Sequence, residues 1–131
     1  MTNQAALDVL GRATYLRLTT FRKDGTPVPT PVWLARDGDF VVVTTSPDSG
    51  KVKRLRHTTR VLVAPCDGRG RLKKGARELE ATAELVTDPV EADRIGGLIK
   101  EKYGVGFHLV GMAYRLLGKT TSQGAGIRIT V

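Results

Sequence analysis

The sequence predicts a mainly β fold of the α+β class, in which about six antiparallel strands roll into a barrel and the helices lie outside it. Three observations carry that expectation. Short alternating or wholly apolar runs recur along the chain, glycine-centred turns such as Lys23-Asp24-Gly25 and Asp37-Gly38-Asp39 join them, and few stretches have a helical period. With 131 residues, 40% hydrophobic and 26% charged, the chain has apolar material for a single core, so residues 1–131 are expected to form one soluble domain.

Residues 3–11 read as a short helix, with Asn3 as N-cap, Ala6, Val9 and Leu10 on one face, and Gly11 at the C-terminal end. From Tyr15 the period becomes two: Leu16, Leu18 and Thr20 share a face, and Gly25 supplies the positive φ of the turn that follows. The next segment carries Pro27, Pro29 and Pro31, which cannot donate to a ladder. Its first half should therefore lie at an edge or bulge, and only Val32–Arg36 should pair regularly. Phe40–Thr45 is apolar on both faces, as a central strand would be.

After a break at Ser46–Ser49, residues 50–57 fit a short helix with Val52 and Leu55 beneath a basic surface. Residues 60–66 form another buried strand, and residues 67–77 a polar, glycine-rich loop or hairpin extension. Residues 78–86 alternate, with Leu79, Ala81, Ala83 and Leu85 set against Glu78, Glu80, Thr82 and Glu84. The strongest helix signal covers residues 88–104: Asp88 caps, Pro89 takes the first position, Ala92, Ile95 and Ile99 line one face, and Gly104 closes the end. A more apolar helical segment at 107–118 and a last alternating strand at 126–131 complete the order.

Charge points to an anionic partner. The formal net charge is +8 and the pI is about 10.1, which suits nucleic acid, a membrane surface, or a small molecule carrying phosphate and carboxylates. Aromatic content of 5%, with no aromatic stacking platform in strands such as Phe40–Thr45, speaks against nucleic acid. No apolar run reaches the length of a membrane span, the N-terminal residues lack a signal-peptide pattern, and Cys66 is the only cysteine. A cytoplasmic protein without disulfides or a multi-cysteine metal site is expected. Ser46, Ser49 and Ser122 have no glycine-flanked nucleophile context. His57 and His108 have no spacing that pairs them with a carboxylate or a metal.

Five cationic side chains (Lys51, Lys53, Arg54, Arg56 and Arg60) fall within ten residues, just after the hydroxyl-rich strand end Thr44, Thr45 and Ser46. Backbone donors at a helix start and mobile cations together attract a phosphate. A helix face turned to solvent accounts for the same residues equally well.

The run from Leu18 to Pro65, LTTFRKDGTPVPTPVWLARDGDFVVVTTSPDSGKVKRLRHTTRVLVAP, resembles the core of the split β-barrel flavin and deazaflavin family, the pyridoxamine 5'-phosphate oxidase-like superfamily. That pattern has a strand of the form T-x-x-x-D-G-x-P-x-x-x-P-V-W, a strand ending in T-S, a K-x-x-N helix and an R-V strand. Its overall form is similar to the branch that uses coenzyme F420, an 8-hydroxy-5-deazaflavin with a phosphodiester and an oligoglutamate tail. The resemblance implies a split barrel, a homodimer with cofactor sites at the subunit interface, and hydride transfer between F420 and an unsaturated small molecule. Flavin mononucleotide (FMN) is the alternative cofactor. It further implies that Ser49, Gly50, Lys51, Val52 and Lys53 lie at the phosphate. Val43, Thr44, Thr45 and Ser46 would follow the ribityl chain and ring, Thr30, Pro31, Val32 and Trp33 the ring edge, and Arg60 would flank the site. Arg54 stands where the pattern has asparagine, so it receives no cofactor contact.

A second basic cluster, Arg69, Arg71, Lys73, Lys74 and Arg77, either extends the basic groove or is a solvated loop. Trp33, Tyr103, Phe107, His108 and Tyr114 suit a substrate pocket or plain packing, and no catalytic side chain is assigned. A basic nucleic-acid-binding barrel and a non-catalytic cofactor carrier are the alternatives from other classes.

Overall fold

The computed structural model describes residues 3–104 and 124–131. Its elements are α1 (Gln4–Arg12), β1 (Tyr15–Phe21), β2 (Pro27–Val32), β3 (Ala35–Asp37), β4 (Phe40–Thr45), α2 (Gly50–Leu55), β5 (Arg60–Cys66), β6 (Leu79–Val86), α3 (Pro89–Tyr103) and β7 (Ala125–Thr130). The apolar segment expected at 107–118, with Phe107, His108 and Tyr114, and also Ser122, lie outside the described residues.

All seven strands join one sheet in the order β2-β1-β5-β6-β7-β4-β3, with every pairing antiparallel. The two ends of that order, β2 and β3, are separated in the chain only by Trp33 and Leu34. Three Cα steps span at most about 11 Å, so the sheet must curl until its edges nearly meet. The result is a barrel whose hydrogen bonding is interrupted along the β2/β3 seam, a split β-barrel.

The proline segment lies at an edge, as expected, but its pairing departs from expectation. Pro27–Val32 pairs with β1 along its whole length, Thr30 opposite Leu18 and Val32 opposite Leu16. Pairing then breaks at Trp33 and Leu34, and Ala35–Asp37 pairs with β4 instead. The expected single strand is therefore two, which raises six strands to seven. The prolines tolerate this because they recur with period two on an edge strand. Successive N–H groups point to alternate sides, so Val28, Thr30 and Val32 can serve the β1 ladder while the three missing donors fall on the outer edge. An edge without donors is also a poor template for a further strand.

Alternation sorts the core. Leu16 and Leu18 on β1, Val41 and Val43 on β4, Val61 and Val63 on β5, Ala81 and Ala83 on β6, and Ile127 and Ile129 on β7 meet inside the barrel. The remaining face of β4 presents Val42 to α3, whose Ile95 and Ile99 form a second cluster with Ala35 and Val86. Each such fully buried branched side chain contributes about 1.5–3 kcal/mol. Gly126 of β7 lets α3 approach, because a Cβ there would lie 2.7 Å from Ile95 Cδ1. Arg94 forks onto Asp37, its Nη2 2.7 Å from Oδ2, and Arg128 reaches Glu91 at 3.0 Å, so charged pairs hold the rim of α3 to the sheet.

The helix caps follow the sequence. Asn3 accepts from the amide of Ala6 at 3.1 Å, and Asp88 accepts from that of Glu91 at 3.3 Å. In α1 the buried face is Ala6, Leu7 and Leu10, whereas Val9 is 57% exposed. Packing against β3, β4 and β5 sets the roll of this short helix, and its own period admits either face. Gly11 lies within α1 rather than closing it, and Ala13 is the C-cap. The basic 67–77 segment is ordered where it leaves β5: Asp67 accepts from the amides of Arg69 at 2.9 Å and Arg71 at 3.0 Å. Those bonds, led by the Arg71 amide, hold the Asp67 carboxyl at about 2.

Candidate functional site

β4 delivers its hydroxyl-rich end to the start of α2. Among these groups, Thr45 Oγ1 donates to Ser49 Oγ at 3.1 Å, and Ser49 Oγ accepts from the Val52 amide at 3.3 Å. The Ser49 amide donates to the Ser46 carbonyl at 3.0 Å, and Ser46 Oγ accepts from the Asp48 amide at 3.4 Å. These groups are therefore occupied in shaping the turn and capping the helix. Val43 and Val52 are buried, 0% and 2% exposed. Thr44 is half-buried and Lys53 exposed.

Lys51 differs from its neighbours. It is half-buried in α2, and among the described residues its ammonium has no ion-pair partner. Burial, then the nearby Arg54 guanidinium, hold its pKa below the usual lysine value. Arg54 is also half-buried. Its Nε donates to Thr20 Oγ1 at 2.6 Å, and burial followed by the charge of Arg22 lowers its pKa in turn. Three cations thus crowd together where β1 ends and α2 begins, and no described carboxylate forms an ion pair with any of them. Like charges held close in a partly desolvated place raise the energy of the empty protein, and a bound anion reverses that term.

Arg60 is placed differently. Its Nε donates to Glu80 Oε1 at 2.5 Å, and its guanidinium lies 4.6 Å from the Phe21 ring centroid. It lines an open cavity of about 360 Å³ with Thr59, Glu80, Thr82 and Thr130, and none of the other residues assigned by resemblance borders that cavity.

The residues that the resemblance sets along a ring edge, Thr30, Pro31, Val32 and Trp33, do not share one face. Thr30 and Val32 lie opposite Leu18 and Leu16, which face the core, and Pro31 lies opposite Arg17 on the outer face. Trp33 stacks on Tyr103 at the seam, centroids 4.3 Å apart and planes 7° from parallel. The Tyr103 hydroxyl donates to the Thr14 carbonyl at 2.7 Å and accepts from the Leu34 amide at 3.1 Å, while burial raises its pKa. That phenol fastens the end of α3 across the split and has its proton engaged.

Thr20 and Arg22 carry no site expectation from the sequence, and none is placed on Arg54 because it departs from the family pattern. The spacing of Lys51 and Arg54, three apart on one helix, is the signal that could have found the last of them, because residues so spaced are surface neighbours.

An antiparallel barrel split at one seam, with cations gathered beside the helix that follows its fourth strand, defines the class as a split β-barrel. Residues 2–123 match the family model described as pyridoxamine 5'-phosphate oxidase, and the chain belongs to that family. No curated protein matches the sequence. Among solved structures, the chain is similar to a conserved hypothetical protein from Mycobacterium tuberculosis (24% identity, TM-score 0.72, covering 100% of this chain and 81% of that one). It is similar also to an F420 reductase (19%, 0.62, covering 94% and 90%) and to the heme storage protein HutZ from Vibrio cholerae (13%, 0.67, covering 98% and 89%). At these identities the likeness establishes the fold. Among the described residues, no helix is long and apolar enough to cross a membrane, and no group of three or more His, Cys, Asp or Glu is placed to hold a metal ion.

Proposed function

We propose that this protein is an F420-dependent oxidoreductase, moving a hydride between the deazaflavin and an unsaturated small molecule. One observation carries the reading: the half-buried Lys51, without a counter-ion among the described residues, stands beside Arg54 at the β4–α2 junction. Such a cation fits a phosphate, the group that F420 and FMN share. When bound, the cofactor supplies the hydride chemistry. Lys51 would hold the phosphate, the Ser46–Ser49 turn would keep the α2 start in place, and β2 with Trp33 would bound the ring on one side. Nothing in this scheme requires a protein nucleophile.

FMN is the second reading, favoured by the same cluster because the cations act on phosphate and not on the ring. The homodimer and the interfacial placement of the cofactor belong to the proposal through the family resemblance, and Arg60 belongs to it in the same way. The experiment is a fluorescence titration of the purified protein with F420 and with FMN, with heme as a third ligand. Binding of F420 at micromolar concentration supports the first reading, and FMN alone moves the assignment to a flavin enzyme. Heme alone, or single-stranded nucleic acid with steep salt dependence, overturns both.

A further inference from the structure

We propose that Arg54, propped by Thr20 and given room by Gly50, is a second phosphate-binding cation that closes with Lys51 on one phosphate group. The proposal rests on the cofactor reading above and adds to it a residue that stands where the family pattern has asparagine. Arg54 Nε donates to Thr20 Oγ1 at 2.6 Å, and Thr20 is only 1% exposed, so the anchor for the guanidinium is rigid. From there the fork runs back toward the start of α2. A Cβ on Gly50 would lie 2.7 Å from Arg54 Nη1 and 3.4 Å from Nη2. The Nη atoms are thereby brought beside the residue that precedes Lys51.

A purely structural tie between α2 and β1 explains this arrangement poorly. Thr20 satisfies one of five guanidinium donors, and no described carboxylate neutralises the charge. Arg22 and Lys51 lie close enough to repel it. A neutral side chain would fasten the helix at lower cost. A planar fork held beside an ammonium is instead suited to two non-bridging oxygens of one phosphate, with the fork and the ammonium taking different oxygens.

Gly50 makes the inference testable without disturbing the core. Replacing it with alanine favours the helix, and the atoms nearest the new methyl are those at the flexible end of Arg54, which it pushes aside. The experiment measures binding of inorganic phosphate at pH 8, against chloride at matched ionic strength, together with FMN, riboflavin, F420 and the phosphate-free deazaflavin core. It compares the full chain with Arg54→Asn, Gly50→Ala and Thr20→Val. Both Arg54→Asn and Gly50→Ala are expected to weaken phosphate and the phosphorylated cofactor by roughly 10- to 100-fold. The phosphate-free forms should stay within about twofold, and Gly50→Ala should keep or raise the thermal midpoint. Thr20→Val shifts affinity in the same direction by a smaller factor.

Unchanged phosphate and cofactor affinity in Gly50→Ala and Arg54→Asn overturns the role of Arg54. So does an equal loss of phosphorylated and phosphate-free ligands. If phosphate binds through Arg54 but neither cofactor binds better than its phosphate-free form, the clamp stands and the cofactor reading fails. Should Arg54→Asn not fold, Gly50→Ala decides.

Discussion

Replacing Lys51 with methionine separates a ligand-binding cation from a structural one, because methionine keeps most of the half-buried aliphatic stem and removes the charge. A charge-assisted hydrogen bond contributes about 1.5–3 kcal/mol, so Lys51→Met should weaken the phosphorylated cofactor roughly 10- to 150-fold. Without ligand the effect reverses. Lys51 and Arg54 are three apart on one helix, like charges at that spacing cost about 0.2–0.5 kcal/mol, and the variant should gain that amount. The pH dependence sharpens the contrast. Lys51 binds its proton less readily in the folded protein than the 10.5 of a free lysine, so the unfolded chain holds more protons between the lowered value and 10.5. Stability of the free protein therefore rises with pH across that window and is penalised below it, and Lys51→Met flattens the rise. Fluorescence titration measures the affinity and urea unfolding at several pH values the stability. Cofactor binding at wild-type strength, or a loss of more than about 1 kcal/mol in the free protein, would rule out Lys51 as a phosphate-binding cation without a structural role.

Tyr103→Phe keeps the stack on Trp33 but strands the Leu34 amide and the Thr14 carbonyl. It should cost about 1–2 kcal/mol in urea unfolding, and a loss below about 0.5 kcal/mol would mean that the phenol does not fasten the seam. Gly126→Ala puts a methyl 2.7 Å from Ile95 Cδ1 and 3.2 Å from Val86 Cβ. A loss of about 1–3 kcal/mol with α3 displaced is expected from calorimetry, and a neutral result would show that the helix has room to spare. The Asp67 carboxyl should titrate at about 2 by NMR. Because that value is depressed, the contribution of the turn is complete above the ordinary 3.8 and is lost as pH falls through about 2, with the Arg69 and Arg71 amides shifting in step. Titration near 3.8 would contradict the turn geometry.

Much of the framework is legible in the sequence wherever the signal is local. Asp88, Pro89 and Gly104 bound α3, the alternation of residues 79–86 gives β6, and Gly25 and Gly38 take the positive φ that their turns need. The resemblance carries the family and the split barrel. What escapes lies in choices between equally good local options. Leu7 and Val9 both sit on a helical stripe with Leu10, and only the roll of α1 against the sheet buries the first. Three prolines place their segment at an edge but argue locally against regular pairing, and only the register with β1 puts the missing donors on the open side.

The candidate site shows the same division. That residues 44–60 are rich in hydroxyls and cations is written in the sequence. Which of those cations is paired is not. Arg60 meets Glu80 across neighbouring strands, Arg54 finds Thr20 on β1, and Lys51 finds no counter-ion among the described residues. Turns, caps, most strand positions and the basic character are set locally, because those follow from backbone geometry and side-chain chemistry within a few residues. Only the folded chain shows where the seam falls, how many strands there are and which charge is left unpaired among the described residues. Those depend on groups far apart in the chain, and a charge's energy is set by whatever the fold brings within a few ångströms of it.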